Sequence, residues 1–120
     1  MVLCRLVSTV GIEVLLVSVE FPMVDSQQLM AATEHMLAQN PDVKLCIFSH
    51  ISSMPAVIEP IKELATMVRK LASDSLVLVD GAHAPGQIPI NIPDLKVDFY
   101  LGNCHKWLYA PKGVAFLSTA

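Results

Sequence analysis

Residues 43–81 read VKLCIFSHISSMPAVIEPIKELATMVRKLASDSLVLVDG. Two short apolar runs, Val43–Phe48 and Leu76–Val79, flank a segment of different period. Each run is continuous rather than alternating, which suits a strand buried on both faces. Between them Ile61, Leu64, Ala65, Val68 and Leu71 recur at three and four, with Lys62, Glu63, Arg69 and Lys70 on the other side. That spacing predicts an amphipathic helix from Ala56 or Val57 to Ala72. Pro60 falls in its first turn or so, where a missing N–H costs little. Strand, helix and strand in this order make a parallel pair joined by a right-handed crossover.

The pattern extends both ways. Upstream, the apolar run Val14–Val19 is bounded by Gly11 and Pro22 and reads as another buried strand. Asp25 is the expected N-cap of a helix over Ser26–Gln39, whose Leu29, Met30, Ala32, Met36 and Leu37 share one face; Asn40-Pro41-Asp42 ends it. Downstream, Phe99–Leu101 and Gly113–Leu117 are short strands. The predicted class is α/β with a mostly parallel sheet. Ligands of such sheets sit beyond the carboxyl ends of the strands. His50, Asp80 and the run Asn103 to Lys106 each follow a strand end, so the polar groups gather on one edge.

Composition narrows the function classes. The chain has 120 residues, enough for one domain, and is 53% hydrophobic but only 16% charged. A small chain with so little charge buries faces against a partner or against further parts of its own fold. The net charge is −3 and the basic residues are scattered, which excludes a nucleic-acid stripe. Cys4, Cys46 and Cys104 lie far apart in apolar surroundings and read as reduced thiols of a cytoplasmic protein. Arg5, Gly11 and Glu13 interrupt the apolar start, so neither a membrane span nor a signal peptide is expected.

Taken singly, the polar groups have bland readings. Asp80 caps a turn on Gly81, His83 is a satisfied loop histidine, Lys106 snorkels to water, Trp107 packs, and His35 is surface. The functional readings are sharper. A carboxylate ending a buried strand needs a cationic or hydrogen-bonding partner. A lysine between an apolar strand and Trp107-Leu108-Tyr109 is desolvated, which suits it to carbonyl chemistry.

Taken together, Asp80-Gly81-Ala82-His83, then residues 84–104, then His105-Lys106-Trp107-Leu108 and Ala110-Pro111-Lys112-Gly113 resemble the class V aminotransferase family of pyridoxal-phosphate enzymes. That family includes cysteine desulfurases and isopenicillin N epimerase, and Val79–Leu117 is most similar to the epimerase-like branch. Phe48-Ser49-His50-Ile51-Ser52-Ser53-Met54-Pro55-Ala56 resembles the family's loop after its fourth strand. The resemblance implies a partial three-layer α/β/α large domain of fold type I and an amino-acid substrate. It implies a homodimer for the complete protein.

It also implies roles. Lys106 forms the internal aldimine with pyridoxal 5'-phosphate and shuttles protons. Asp80 pairs with the ring nitrogen, and a protonated ring nitrogen is what makes the cofactor an electron sink. His83 lies near the phenolic oxygen and Ser53 hydrogen-bonds it. Asn103 and His105 contact the phosphate. His50 matches a histidine of the same loop. Cys104 packs beside the lysine turn and is not the desulfurase nucleophile.

The resemblance covers nearly the whole chain but only the middle of the family's large domain. The phosphate-binding loop, the ring-stacking aromatic, and the small domain with its carboxylate-binding arginine have no counterpart here. The chain is therefore expected to be an incomplete enzyme, inactive alone; the rival reading is a non-catalytic truncated relative serving as a binding or regulatory module. A metal site of His50, His83, His105 and Asp80 is a weaker competitor, because Lys106 would repel a cation. No Gly-rich turn supports a Rossmann nucleotide site. In the family's sheet a strand from earlier in the sequence separates those matching Val14–Val19 and Val43–Phe48. Val14–Val19 is therefore expected to stand apart or slide into the vacant place. The other four strands are expected to form one sheet with the last antiparallel.

Overall fold

The structure, a computed structural model, describes residues 11–20 and 25–120. Three helices and four strands follow one another: α1 (Gln27–Gln39), β1 (Leu45–Ser49), α2 (Ile61–Leu71), β2 (Leu76–Gly81), α3 (Ile92–Leu95), β3 (Phe99–Asn103) and β4 (Ala115–Thr119). The sheet order is β1-β2-β3-β4. β1, β2 and β3 are parallel, and β4 returns antiparallel to β3. This is the sheet read from the sequence, in the expected order and sense.

Strand parity sorts the side chains onto two unequal faces. Cys46, Phe48, Val77, Val79 and Tyr100 point inward, onto Leu64, Ala65 and Val68 of α2 and Leu37 of α1. Leu64, Ala65, Val68, Val77, Val79 and Tyr100 lose all solvent contact. Burying a Leu or Val side chain contributes about 1.5–3 kcal/mol. Glu63 in the first turn of α2 and Arg69 and Lys70 in its last complement the helix dipole. On the outer face Leu45, Ile47, Leu76, Leu101 and Leu117 remain exposed. Of the three expected layers, the described residues therefore make two: helices on one face of the sheet, water on the other.

Several boundaries depart from the sequence reading. Residues 11–20 form no strand. Leu15, Leu16 and Val17 face β1 and α1 across a cavity of about 310 Å³, so Val14–Val19 stands apart from the ladder. A lone strand with no neighbour has nowhere to put its backbone hydrogen bonds. Asp25 is not the N-cap of α1; Ser26 is, although Asp25 Oδ1 still accepts the Gln27 N–H at 2.8 Å. α2 begins at Ile61, not at Ala56 or Val57, with Pro60 as its N-cap. Residues 51–58 are instead a small looped-back unit, held by a bridge between Ile51 and Ile58 and by the Ser52 hydroxyl donating to Pro55 O at 2.6 Å. A hydroxyl bonding locally to backbone competes with helix. The short helix α3 has no strong period and was not anticipated. β2 and β3 each run two residues beyond the predicted ends, so Asp80 and Asn103 lie within the strands rather than after them.

At the amino ends of β2 and β3, polar groups close on one another. Asp98 Oδ2 accepts from Arg69 Nη2 and from the Val77 N–H, both at 2.6 Å. Arg69 Nη1 donates to Ser75 O at 2.7 Å, and the Ser75 hydroxyl donates to Val43 O at 2.6 Å. Burial pushes the Asp98 carboxyl up, but the Arg69 hydrogen bond, the Val77 N–H and the Arg69 charge outweigh it and hold it below its ordinary range. Among the described residues, no helix is long and apolar enough to cross a membrane.

Candidate active site

The candidate residues emerge at the opposite, carboxyl ends of the strands. β2 and β3 are parallel neighbours, with Asp80 beside Leu101 and Gly81 beside Gly102. Their ends therefore lie on one edge, and the turns that follow can meet there. Asp80 points to the uncovered face, and its Oδ1 accepts the Ala82 N–H at 2.9 Å. The bland reading of Asp80 as a turn residue is thus correct as far as it goes. The carboxylate braces the turn and stays half-exposed at the sheet edge.

That turn carries His83 to Lys106. The Lys106 Nζ lies 3.1 Å from His83 Nε2, and Trp107 Nε1–H donates to His83 Nδ1 at 3.4 Å. Ala84 N–H closes back on Gly81 O at 3.0 Å. Gly86, at φ +87°, lets the loop lie against the backbone of Trp107; a Cβ there would sit 2.8 Å from Trp107 O. The lysine loop is clasped at its base by Cys104 N–H donating to Val114 O at 3.0 Å. Two short loops, each pinned to its own strand, thus hold an amine and an imidazole in contact.

Asn103 and His105 form a second pair. The His105 N–H donates to Asn103 Oδ1 at 3.1 Å, and Asn103 Nδ2 lies 3.3 Å from His105 Nε2. The other ring nitrogen of His105 is 3.3 Å from Val114 O and accepts from Gly113 N at 3.3 Å. Ser53 is exposed on loop 51–58 and makes no hydrogen bond with any other candidate among the described residues.

His50 belongs to the inner face. Its Nδ1 lies 2.7 Å from the Tyr100 hydroxyl, and the two rings meet edge-on. Burial, with the negative charge of Asp80 nearby, pushes Tyr100 up to about 12, and burial pulls His50 down. The contact therefore joins a neutral phenol and a neutral imidazole. Tyr100 reaches His50 across Gly81, where any side chain would run into its ring. Sequence reasoning missed this pair; the invisible signal was register, which pairs Tyr100 with Val79 and lets its ring pass over the bare Gly81. In the next loop, burial lifts the Glu59 carboxyl to about 7 against the opposing pull of the Ser49 N–H.

The three ring systems, His50, His83 and His105, turn to different partners: Tyr100, Lys106 with Trp107, and Asn103 with the β4 loop. They do not converge with Asp80, and the described residues hold no cluster of three or more metal ligands. Arg69, the only arginine among the described residues, is paired with Asp98 at the far end of the strands.

Pyridoxal phosphate needs an amine for its aldehyde, a carboxylate for its ring nitrogen and donors for its phosphate. Asp80, near the end of β2, and Lys106, in the turn after the parallel β3, are residues of the types the first two would need. Asn103 and His105 offer hydrogen-bonding groups, and among the described residues the edge holds no arginine, so the fit to the phosphate is partial.

Comparison with known proteins places the chain in a family. A family model described as aminotransferase class V matches residues 10–120. The putative L-cysteine desulfhydrase 1 of Oryza sativa subsp. japonica is 38% identical over 117 residues, 94% of this chain and 24% of that protein. Isopenicillin N epimerase of Streptomyces clavuligerus is 41% identical over 96 residues, 80% of this chain and 23% of that protein. The cystine C-S lyase C-DES, solved with its reaction product cysteine persulfide, is 31% identical with a TM-score of 0.69, over 77% of this chain and 24% of that one. A NifS-like protein superposes with a TM-score of 0.76 over 97% of this chain and 30% of that one; at 24% identity it shows the fold alone. These likenesses bear out the expected fold. The chain spans 24% or less of the curated relatives just named.

Proposed function

The chain belongs to the class V aminotransferase family, and on that premise we propose that it carries the cofactor-anchoring part of a pyridoxal-phosphate enzyme that acts on an amino acid. The observation that carries the reading is the 3.1 Å contact of Lys106 with His83 on the strand-end edge that also holds Asp80. Bound pyridoxal phosphate supplies an electron sink for bonds at an amino acid's α-carbon. Lys106 anchors it and holds a proton at Nζ for transfer. Asp80 sets a negative charge against the ring nitrogen, braced by the Ala82 N–H so that it does not swing away. His83 borders the ring beside Lys106. Asn103 and His105 would border the phosphate. Ser53 has the weakest support, since its loop faces water.

The names of the relatives point to desulfhydration, lyase or epimerase chemistry, all of which begin with an amino acid's α-carbon. We place the complete protein as a cytoplasmic homodimer. The 120 residues by themselves do not turn over substrate: no arginine of the described residues is free at this edge to hold a phosphate or a substrate carboxylate. Orientation alone can be worth about 7–11 kcal/mol of barrier.

The test is direct. Pyridoxal phosphate added to the 120-residue chain and fixed with borohydride should leave a mass adduct on Lys106, absent in Lys106→Ala. An adduct spread over the surface lysines, unchanged by that substitution, would overturn the reading.

A further inference from the structure

We propose that the cavity beside β1 is an acceptor site for one extended, apolar strand of another polypeptide chain. It uses none of the residues of the cofactor reading, and the two stand or fall separately.

β1 ends the sheet, with β2 as its one neighbour in the ladder. Leu76 N–H donates to Lys44 O and His50 N–H donates to Asp80 O, both at 2.9 Å, so the even-numbered residues of β1 face β2. Alternate residues of a parallel strand turn their N–H and C=O to opposite edges. Those of Leu45, Ile47 and Ser49 therefore point away from β2, and all three residues line the cavity. The Ser49 N–H is taken by the Glu59 carboxyl. The backbone groups of Leu45 and Ile47 have no partner among the described residues. Such an edge is a template for a further strand, and strand addition supplies main-chain partners at this two-residue spacing.

The walls fit the same occupant. Leu15, Leu16 and Val17 bound the cavity opposite β1, and Leu29 and Leu37 of α1 line it as well. Residues 11–20 are thus a wall of the space and do not fill it. Thr33 of α1 also lines it, is 2% exposed, and has a hydroxyl with no hydrogen-bond partner. A buried hydroxyl left unpaired is destabilising, and a Ser or Thr of an incoming strand would satisfy it. Glu59 is the one charged side chain among the described lining residues. The lining therefore selects a strand of Val, Ile and Leu with a hydroxyl where it crosses Thr33. A lipid chain would match the apolar walls but leave Leu45, Ile47 and Thr33 unpaired.

The probe is a fluorescein-labelled peptide, Val-Ile-Thr-Val-Ile followed by Gly-Lys-Lys for solubility, added to the 120-residue chain. Its anisotropy should rise. Exchange of the Leu45 and Ile47 amide protons should slow by about tenfold or more, while the Cys46 and Phe48 amides, already in the ladder, keep their rates. Ile47→Pro removes an outward N–H from an edge strand, where proline is tolerated, and should abolish binding. Circular dichroism checks its folding. A peptide N-methylated at alternate residues removes the same bonds from the other side and should not bind, whether or not that variant folds. Thr33→Val keeps the shape without the hydroxyl, and should move the preference from the threonine peptide towards Val-Ile-Val-Val-Ile by about 5–10-fold. No binding to the unmodified chain, binding that Ile47→Pro or N-methylation leaves intact, or an unmoved preference in Thr33→Val overturns the proposal. So does protection of the Leu45 and Ile47 amides in the monomeric chain before peptide is added, which would put the chain's own residues on the edge. Self-association that the peptide disperses would seat a second copy there and overturn it equally.

Discussion

The two ends of the sheet use the same residue types to opposite purposes. At the amino ends of β2 and β3, the Asp98 carboxylate takes a guanidinium and a backbone N–H, both at 2.6 Å, and Arg69 turns its other nitrogen to Ser75 O. At the carboxyl ends, the Asp80 carboxylate takes one turn N–H, and Lys106 meets the His83 ring rather than a carboxylate. One end spends its charges on holding strands together. The other holds charges in place and leaves them uncommitted, at some cost in stability, which is how sites that await a ligand differ from structural polar clusters.

Breaking Asp98 should therefore hurt the fold more than breaking Asp80. Asp98→Ala strands a buried N–H and an arginine, and should lower stability by about 2–3 kcal/mol. Asp80→Ala loses one turn contact, and should cost less than about 1 kcal/mol. Urea denaturation of the two variants measures the difference; equal losses would erase the distinction drawn between the ends. The same contrast has a pH face. Asp98 is held below its ordinary range, so its contribution is present above the unfolded value of 3.8 and lost as pH falls through the folded one. Asp98→Asn should flatten that acid limb.

Gly86→Ala should come next. It forces a Cβ onto a positive φ and onto the Trp107 carbonyl, at a cost of about 1–2 kcal/mol, and should part the two loops that join His83 to Lys106. Trp107 fluorescence would report the parting, and an unshifted spectrum would show that the loops meet without Gly86.

Glu59 gives a smaller effect than Gly86. Its folded value of about 7 stands above the unfolded 4.5, so its stabilisation is full below 4.5 and fades as pH rises to 7. Allowing for partial exposure, the fall should be about 1 kcal/mol, and Glu59→Gln should abolish it. His50 slopes the other way: its value is lowered, so its share is present above the unfolded 6.5 and lost on acidification. Stability curves of the parent and Glu59→Gln between pH 5 and 7, measured by thermal melting, separate the two, and parallel curves would remove Glu59 from the account.

The sheet was legible because its strands are short apolar runs separated by one strongly periodic helix and by turn residues. The edge on which Asp80, His83 and Lys106 would gather followed from the parallel order. What local pattern does not encode was missed. Val14–Val19 has strand composition, but a strand needs a neighbour, and composition says nothing of one. Loop 51–58 looked like the start of α2 because its apolar residues continue the helical run, while the Ser52 hydroxyl bonding to Pro55 O decides otherwise. Trp107 looked like packing, since a donor's target 24 residues away cannot be seen from its own surroundings.

The bare outer face has a calorimetric consequence. The heat-capacity increment of unfolding, about 12–15 cal/mol/K per residue in covered domains, arises chiefly from apolar surface newly wetted. Leu45, Ile47, Leu76, Leu101 and Leu117 are wet before unfolding begins. The chain should therefore show a smaller increment than its length suggests. Its stability curve should be correspondingly flat, with a broad, weakly curved dependence on temperature instead of a pronounced maximum.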